Sequence, residues 1–178
     1  MGATTFQTTA LGKTAREAFA QAQEQERWEH GNGGYTGTCA EKPGFVLVPL
    51  PPRMKVNRFL ELVDLASDAS GIEYAKEDLA RAEKQLKEAK PGTVRNHQAW
   101  VRRAKANLKE AEKDRAKYLR TVGDHKALVE RYESTYNDKW GPCLAFEVNG
   151  TEGGKIKEQR GRKGTHDKVF LFAGWASC

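Results

Sequence analysis

GIEYAKEDLARAEKQLKEAKPGTVRNHQAWVRRAKANLKEAEKDRAKYLRTVG, residues 71–123, is the stretch on which the fold turns. Ile72, Ala75, Leu79, Ala82, Leu86 and Ala89 recur at alternating intervals of three and four, which puts them on one narrow face of a helix. Pro91-Gly92 interrupts the pattern. Val94, His97, Val101, Ala104, Leu108, Ala111, Arg115, Tyr118 and Val122 then resume it, with Arg115 the plainly polar residue. Matching seams joined by a two-residue turn predict an antiparallel helical hairpin. The seam is rich in alanine, so the two helices can approach closely, and the rest of their surface is charged. The first helix, counted from Ile72, is about 18 residues and roughly 27 Å long, and the hairpin is expected to project as an arm.

Outward from the hairpin the chain reads as an α+β domain. Ala3 to Leu11 is a threonine-rich strand around Phe6. Thr14 and Glu17 form a capping box for a helix that runs to His30, with Ala15, Ala18, Phe19 and Ala22 on one face; Gly31 is placed to close it. Phe45 to Val48 is apolar on both faces, which predicts a central strand. Lys55 to Ala66 is a short helix, and Ser67-Asp68-Ala69-Ser70-Gly71 a break. After Gly123-Asp124 the helical pattern resumes with Leu128, Val129, Tyr132 and Tyr136. Leu144–Val148 and Lys168–Trp175 are two further strands, with Asn149 to Asp167 a flexible hairpin loop between them. The expected fold is a small, mostly antiparallel sheet of about four strands with a packed helix and the projecting hairpin. Residues 1–66 and 124–178 form the α+β core and 67–123 the arm. The core is expected to join Phe6, Phe19, Phe45, Leu47, Phe59, Val63, Leu144, Phe146, Val169 and Leu171.

Composition narrows the functional classes. The 178 residues are 38% hydrophobic and 30% charged, enough for one modest core. No run approaches the roughly 18 apolar residues of a membrane span, and the first residues lack a signal peptide's basic start and apolar block. Phe6 stands where a myristoylation signal needs Ser or Thr. Cys39, Cys143 and Cys178 show no CxxC spacing, so reduced thiols in a cytoplasm are expected rather than a disulfide framework or zinc site. The net charge of +6 is uneven. Residues 53–139 hold 20 basic and 15 acidic groups, against 4 and 5 before them and 6 and 4 after. An acidic or phosphorylated partner is therefore expected to meet the middle and end of the chain.

Three stretches are candidate sites. The first is the glycine-rich segment His30 to Lys42, with Gly33, Gly34, Tyr35, Thr36, Gly37, Thr38 and Glu41 between. One reading is a helix C-cap and long turn with Tyr35 packed on the core. Another is an anion-cradling loop with Thr36, Thr38 and Lys42 as added donors. It has no Gly-Lys-Ser/Thr and runs from helix into strand, the reverse of a Walker loop. His30, Tyr35 and Glu41 are acid–base groups, but no nucleophile stands at a telling spacing. The second is the hairpin tip. Lys84, Lys87, Lys90, Arg95, Arg102, Arg103, Lys105 and Lys109 face one acid, Glu88, with His97 and Trp100 among them. That charge suits phosphates, with Trp100 to stack or wedge, although an acidic protein surface or a merely solvated face remain alternatives. The third is the loop 153–164, with Lys155, Lys157, Arg160, Arg162 and Lys163 against Glu158, either an arm that orders on nucleic acid or a solvated loop. Trp28, Trp140, Trp175, Phe170 and Phe172 are expected in the core. His125 and His166 stand alone, so no metal or other cofactor is expected.

Three quoted segments also resemble a known group: HGNGGYTGTCAEKPGF (30–45), YNDKWGP (136–142) and FLFAGWASC (170–178). They are similar to stretches of small proteins encoded by tailed bacteriophages, particularly those of actinobacteria. The likeness covers roughly the first 50 and last 45 residues, with the arm as an insertion. It implies expression in a bacterial cytoplasm and a role in host takeover or counter-defence by binding, and it implies no catalytic residue. The function expected is non-enzymatic binding of nucleic acid or a host nucleoprotein complex by the arm tip and the 153–164 loop. Alternatives are inhibition of an acidic host protein through the same arm, and a nucleotide or small-molecule binder or enzyme at residues 30–42.

Overall fold

A computed structural model describes residues 2–31, 33–162 and 164–178. Its elements are β1 (Ala3–Gly12), α1 (Ala15–His30), β2 (Phe45–Leu47), α2 (Val56–Lys87), α3 (Val94–Val122), α4 (Lys126–Asn137), β3 (Cys143–Val148), α5 (Gly150–Gln159) and β4 (Lys168–Ser177). Among the described residues the strands form one sheet in the order β1-β4-β3-β2. The β1–β4 and β4–β3 pairs are antiparallel and β2–β3 is parallel. The chain is an α+β protein with a helical hairpin. It divides into two compact units, the sheet unit up to Arg58 with Tyr132–Cys178, and a helical unit Phe59–Arg131.

In the sheet unit, alternation along the strands sorts side chains between two faces. One face presents Phe6, Ala10, Cys143, Ala145, Phe170, Phe172 and Ala176, which pack with Ala18, Phe19 and Ala22 of α1 and with Cys39. Phe19 anchors this layer, its ring centroid 5.2 Å from both Phe45 and Phe172. Leu144, Phe146, Val169 and Leu171 on the other face are buried as well. The N-terminus of α1 carries the expected cap: Thr14 Oγ accepts the Glu17 N–H, and the Glu17 carboxylate accepts the Lys13 N–H. Gly31 closes the helix at φ 83°, donating to the Arg27 carbonyl.

Four expectations need correction. β2 is an edge strand of three residues, not a central one, and Leu47, expected in the core, is 50% exposed. The predicted break at Ser67–Gly71 is absent, because α2 runs unbroken for 32 residues. Ser67 Oγ donates to the Val63 carbonyl and Ser70 Oγ to the Ser67 carbonyl, so both hydroxyls bond along the helix. Ala66, Ala69, Ile72 and Ala75 stay buried across the supposed gap. The loop 149–167 holds a ten-residue helix, α5, which begins directly after β3. Gly153 makes that junction feasible, since a Cβ there would lie 2.3 Å from the Val148 carbonyl oxygen. Finally, Trp28 is 87% exposed and Trp140 53% exposed, whereas Phe170 and Phe172 are buried as expected.

In the helical unit, α2 and α3 pair antiparallel through the predicted seam. Ala82, Val101 and Ala104 are buried together, with Leu79, Leu86 and Trp100 packed against them. The Lys105 ammonium lies 3.6 Å from the Glu83 carboxylate across the pair. A 3-10 turn at Pro91–Thr93 joins the helices. Counted from Val56, α2 is about 48 Å long at 1.5 Å per residue, well beyond the length expected from the seam alone.

Candidate functional site

The glycine-rich segment folds into a closed knot of hydrogen bonds at one end of the sheet unit. Gly37, at φ 71°, donates its N–H to the Ser177 carbonyl. Thr38 Oγ accepts the Ala40 N–H at the start of a 3-10 turn, Cys39–Glu41. Glu41 reaches back, one carboxylate oxygen accepting the Thr36 N–H at 2.8 Å and the Thr36 hydroxyl at 2.9 Å. Burial pushes the Glu41 carboxyl up, but the bonds from Thr36 and from the Tyr35 N–H outweigh it and hold the group below its ordinary value. Under the anion-loop reading, the Thr36 donors are thus already taken up within the segment by Glu41.

The other groups expected to meet a ligand are also engaged. Lys42 is 2% exposed, and its ammonium donates to the Asp138 carbonyl at 2.6 Å. Burial holds its amine below the usual lysine value, against the opposing influence of Cys143 and Asp138. His30 Nε2 lies 3.4 Å from Glu26 Oε2, and the other Glu26 oxygen accepts the Thr8 hydroxyl at 2.6 Å. Glu26, Glu29 and His30 bring ligand atoms within 4.8 Å of one another, but both Glu26 oxygens serve the internal bonds just named. Gly33 and Gly34 are exposed, and Gly34, with Arg27, Gly31, Ala40 and Glu41, lines a shallow depression of about 190 Å³.

Three separate segments meet at this knot. Asp138 Oδ1 accepts the N–H groups of Trp140 and Gly141, which, ahead of the opposing effect of burial, hold the Asp138 carboxyl below its ordinary value. Gly44 O accepts the Cys143 N–H. Tyr35, expected against the core, is instead 54% exposed at φ 59° and meets Trp140 edge-on at 6.2 Å between centroids. Lys139 Nζ lies 5.3 Å from the Trp140 ring centroid. The sequence did not reveal this exposed aromatic pair, because Tyr35 and Trp140 are far apart along the chain. A cleft of about 590 Å³ was also missed. It opens where the parallel strands β2 and β3 end, and the proline-rich run from Pro49 to Met54 lines it with Glu147 and Glu152; three prolines directly after a strand were its signal.

The basic residues of the third stretch divide. Lys155 and Lys157 lie on α5, with Lys157 Nζ donating to the Thr165 carbonyl at 3.5 Å. Arg160 is committed to the sheet, its guanidinium donating to Thr9 O at 2.8 Å and Thr9 Oγ at 3.3 Å. Arg162 is exposed beside a cleft with Lys13 and Glu17. Lys163 lies outside the described residues.

At the hairpin tip Lys84, Lys87, Lys90, Arg95, Arg102, Arg103, Lys105 and Lys109 are all exposed. Lys105 has Glu83; among the described residues the other side chains carry no ion pair. Trp100 is half-buried against the seam rather than displayed. His97 Nδ1 is 2.9 Å from the Thr93 carbonyl. No helix among the described residues is long and apolar enough to cross a membrane. Comparison with known proteins finds no family model, no curated protein and no solved structure that matches this chain.

Proposed function

We propose that this protein binds nucleic acid, alone or within a nucleoprotein complex, through the tip of the α2–α3 hairpin and without catalysing a reaction. One observation carries the reading: eight cations lie between Lys84 and Lys109 against one acid, Glu88, and seven of them have no ion-pair partner among the described residues. Helix faces that are merely solvated usually mix both signs, as the Lys76–Glu73 and Lys113–Glu110 pairs do farther along the same helices. Unpaired cations on a fixed scaffold instead favour phosphates, which release counterions on binding. Under the resemblance to phage-encoded proteins, the proposed target belongs to a bacterial host and the role is takeover or counter-defence.

The test is a salt titration of binding to DNA and RNA. With about six phosphates met, log affinity is expected to fall against log salt with a slope near −5. A flat response, or no binding to any nucleic acid, sinks the proposal. The same charges also suit an acidic protein surface. A host protein retained on the chain after nuclease treatment and a high-salt wash would favour that reading instead.

A further inference from the structure

Resting on the nucleic-acid reading, we infer that the hairpin binds duplex rather than single-stranded nucleic acid, along the sugar-phosphate backbone and without regard to sequence. The cations are not spread evenly around the hairpin. At about 100° per residue, Arg95, Arg102 and Lys109 fall within about 40° of one another on the exposed side of α3 and span about 21 Å along it. Lys105 lies on the same side, nearer the seam, where it meets Glu83 of α2. Lys87, one helical turn after Glu83, extends that side onto α2. Arg103, about 100° round α3 from Arg102, lies off this row. From Val94 to Lys109, α3 carries no acidic residue at all.

A row of cations on a rigid helix matches phosphates that are themselves already held in fixed positions, as those of a duplex are. A duplex carries one charge per about 1.7 Å of its axis, both strands counted, so about a dozen fall within 21 Å of it, and those on the near side are within reach of the row. A single strand must be ordered along the row, and proteins that bind single strands offset that cost by stacking bases on aromatic rings. Trp100 is half-buried against Ala82, Val101 and Ala104, about 160° round α3 from Arg102. Tyr74 is 70% exposed, but its position on α2 turns it away from the Glu83 side. The basic side therefore offers charge without a stacking platform. Charge alone reads phosphates rather than base edges.

Fluorescence anisotropy with the full chain tests this on four probes at one salt concentration: a DNA duplex of about 30 base pairs, its RNA counterpart, and one strand of each. Either duplex is expected to bind at least about tenfold more tightly than its own strand, and scrambling the sequence to change affinity less than about threefold. Combining Arg95→Ala, Arg102→Ala and Lys109→Ala should make the salt slope shallower by about 3, at about 0.9 per phosphate, with helicity by circular dichroism unchanged. A single strand bound as tightly as the duplex overturns the inference while nucleic-acid binding stands, as does a triple variant that keeps the full slope. No binding to any of the four probes overturns both.

Discussion

The Lys42 ammonium donates a hydrogen bond to the main-chain carbonyl of Asp138 at 2.6 Å, joining points 96 residues apart. It ties the glycine-rich segment to the turn that carries Trp140, while Gly37 ties the same segment to β4 through Ser177. Residues 30–45, 136–142 and 170–178 thus meet in one piece of structure. Their glycines and polar residues close a junction in the sheet unit, and what they display to solvent is Tyr35 against Trp140.

Lys42 offers a direct test of what holds this junction. Its stem is buried and its one bond goes to a carbonyl. Lys42→Ala removes both and is expected to cost about 3 kcal/mol in urea unfolding. Lys42→Met keeps the stem and removes a buried charge, so it should cost only about 1 kcal/mol. If the two variants cost the same, the bond to Asp138 rather than the packed stem dominates.

Alkaline pH should weaken the fold. Burial pushes the Cys39 and Cys143 thiols up to about 12 from the ordinary 9.0, with Glu26 adding to the first and Cys39 to the second. Between those values the unfolded chain has released protons that the folded chain keeps, so stability falls as pH rises. The limit is about 1.4 kcal/mol per pH unit for each thiol. Lys42, held below 10.5, acts in the opposite direction, since the folded chain releases its proton first. Two thiols outweigh one amine, and unfolding free energy should drop by about 2 kcal/mol from pH 8 to pH 10. Cys143→Ala should remove more than half of that drop, since Lys42 still opposes the one thiol left; a drop unchanged by it would show that the thiols are not the source.

The hairpin was legible in the sequence because an alternating spacing of three and four has one structural solution, and Ala82, Val101 and Ala104 are buried where it puts them. Local propensity misled elsewhere. Phe45–Leu47 is apolar on both faces yet lies at the sheet edge with Leu47 half in water. The glycines at 150, 153 and 154 suggested a loop, although Gly153 serves the close approach of α5 to Val148. That Glu41 takes up the donors of Thr36 depends on the path of the backbone through Tyr35 and Gly37, which spacing does not reveal. The charge at the tip was visible by counting, but the withdrawal of Trp100 from it was not, because Trp100 stands just off the repeat.

Gly37 and Gly34 separate two reasons for glycine in the same segment. Both have positive φ, 71° and 69°. A Cβ at Gly37 would lie 2.6 Å from Thr4 Cγ2, while Gly34 has nothing within 4 Å. Gly34→Ala should therefore cost about 1 kcal/mol, the left-handed penalty alone. Gly37→Ala adds a clash and should cost about 3 kcal/mol. Thr4→Ser removes the clashing methyl, and in the double variant it should recover about 1 kcal/mol of that loss. Additive effects in the double variant would rule out the contact as the cause.

Gly71 tests whether α2 is one helix. Its φ is not positive, it is exposed, and an added Cβ meets nothing within 4 Å. In an unbroken helix the residue is simply a weak helix former, and Gly71→Ala should stabilise the protein by about 1 kcal/mol. In a break that needs glycine's freedom, the same change would be neutral or harmful. Urea unfolding of Gly71→Ala beside the parent distinguishes the two outcomes. A loss of stability would separate Phe59–Ala66 from the seam that begins at Ile72, whereas a gain supports a helix continuous from Val56 to Lys87.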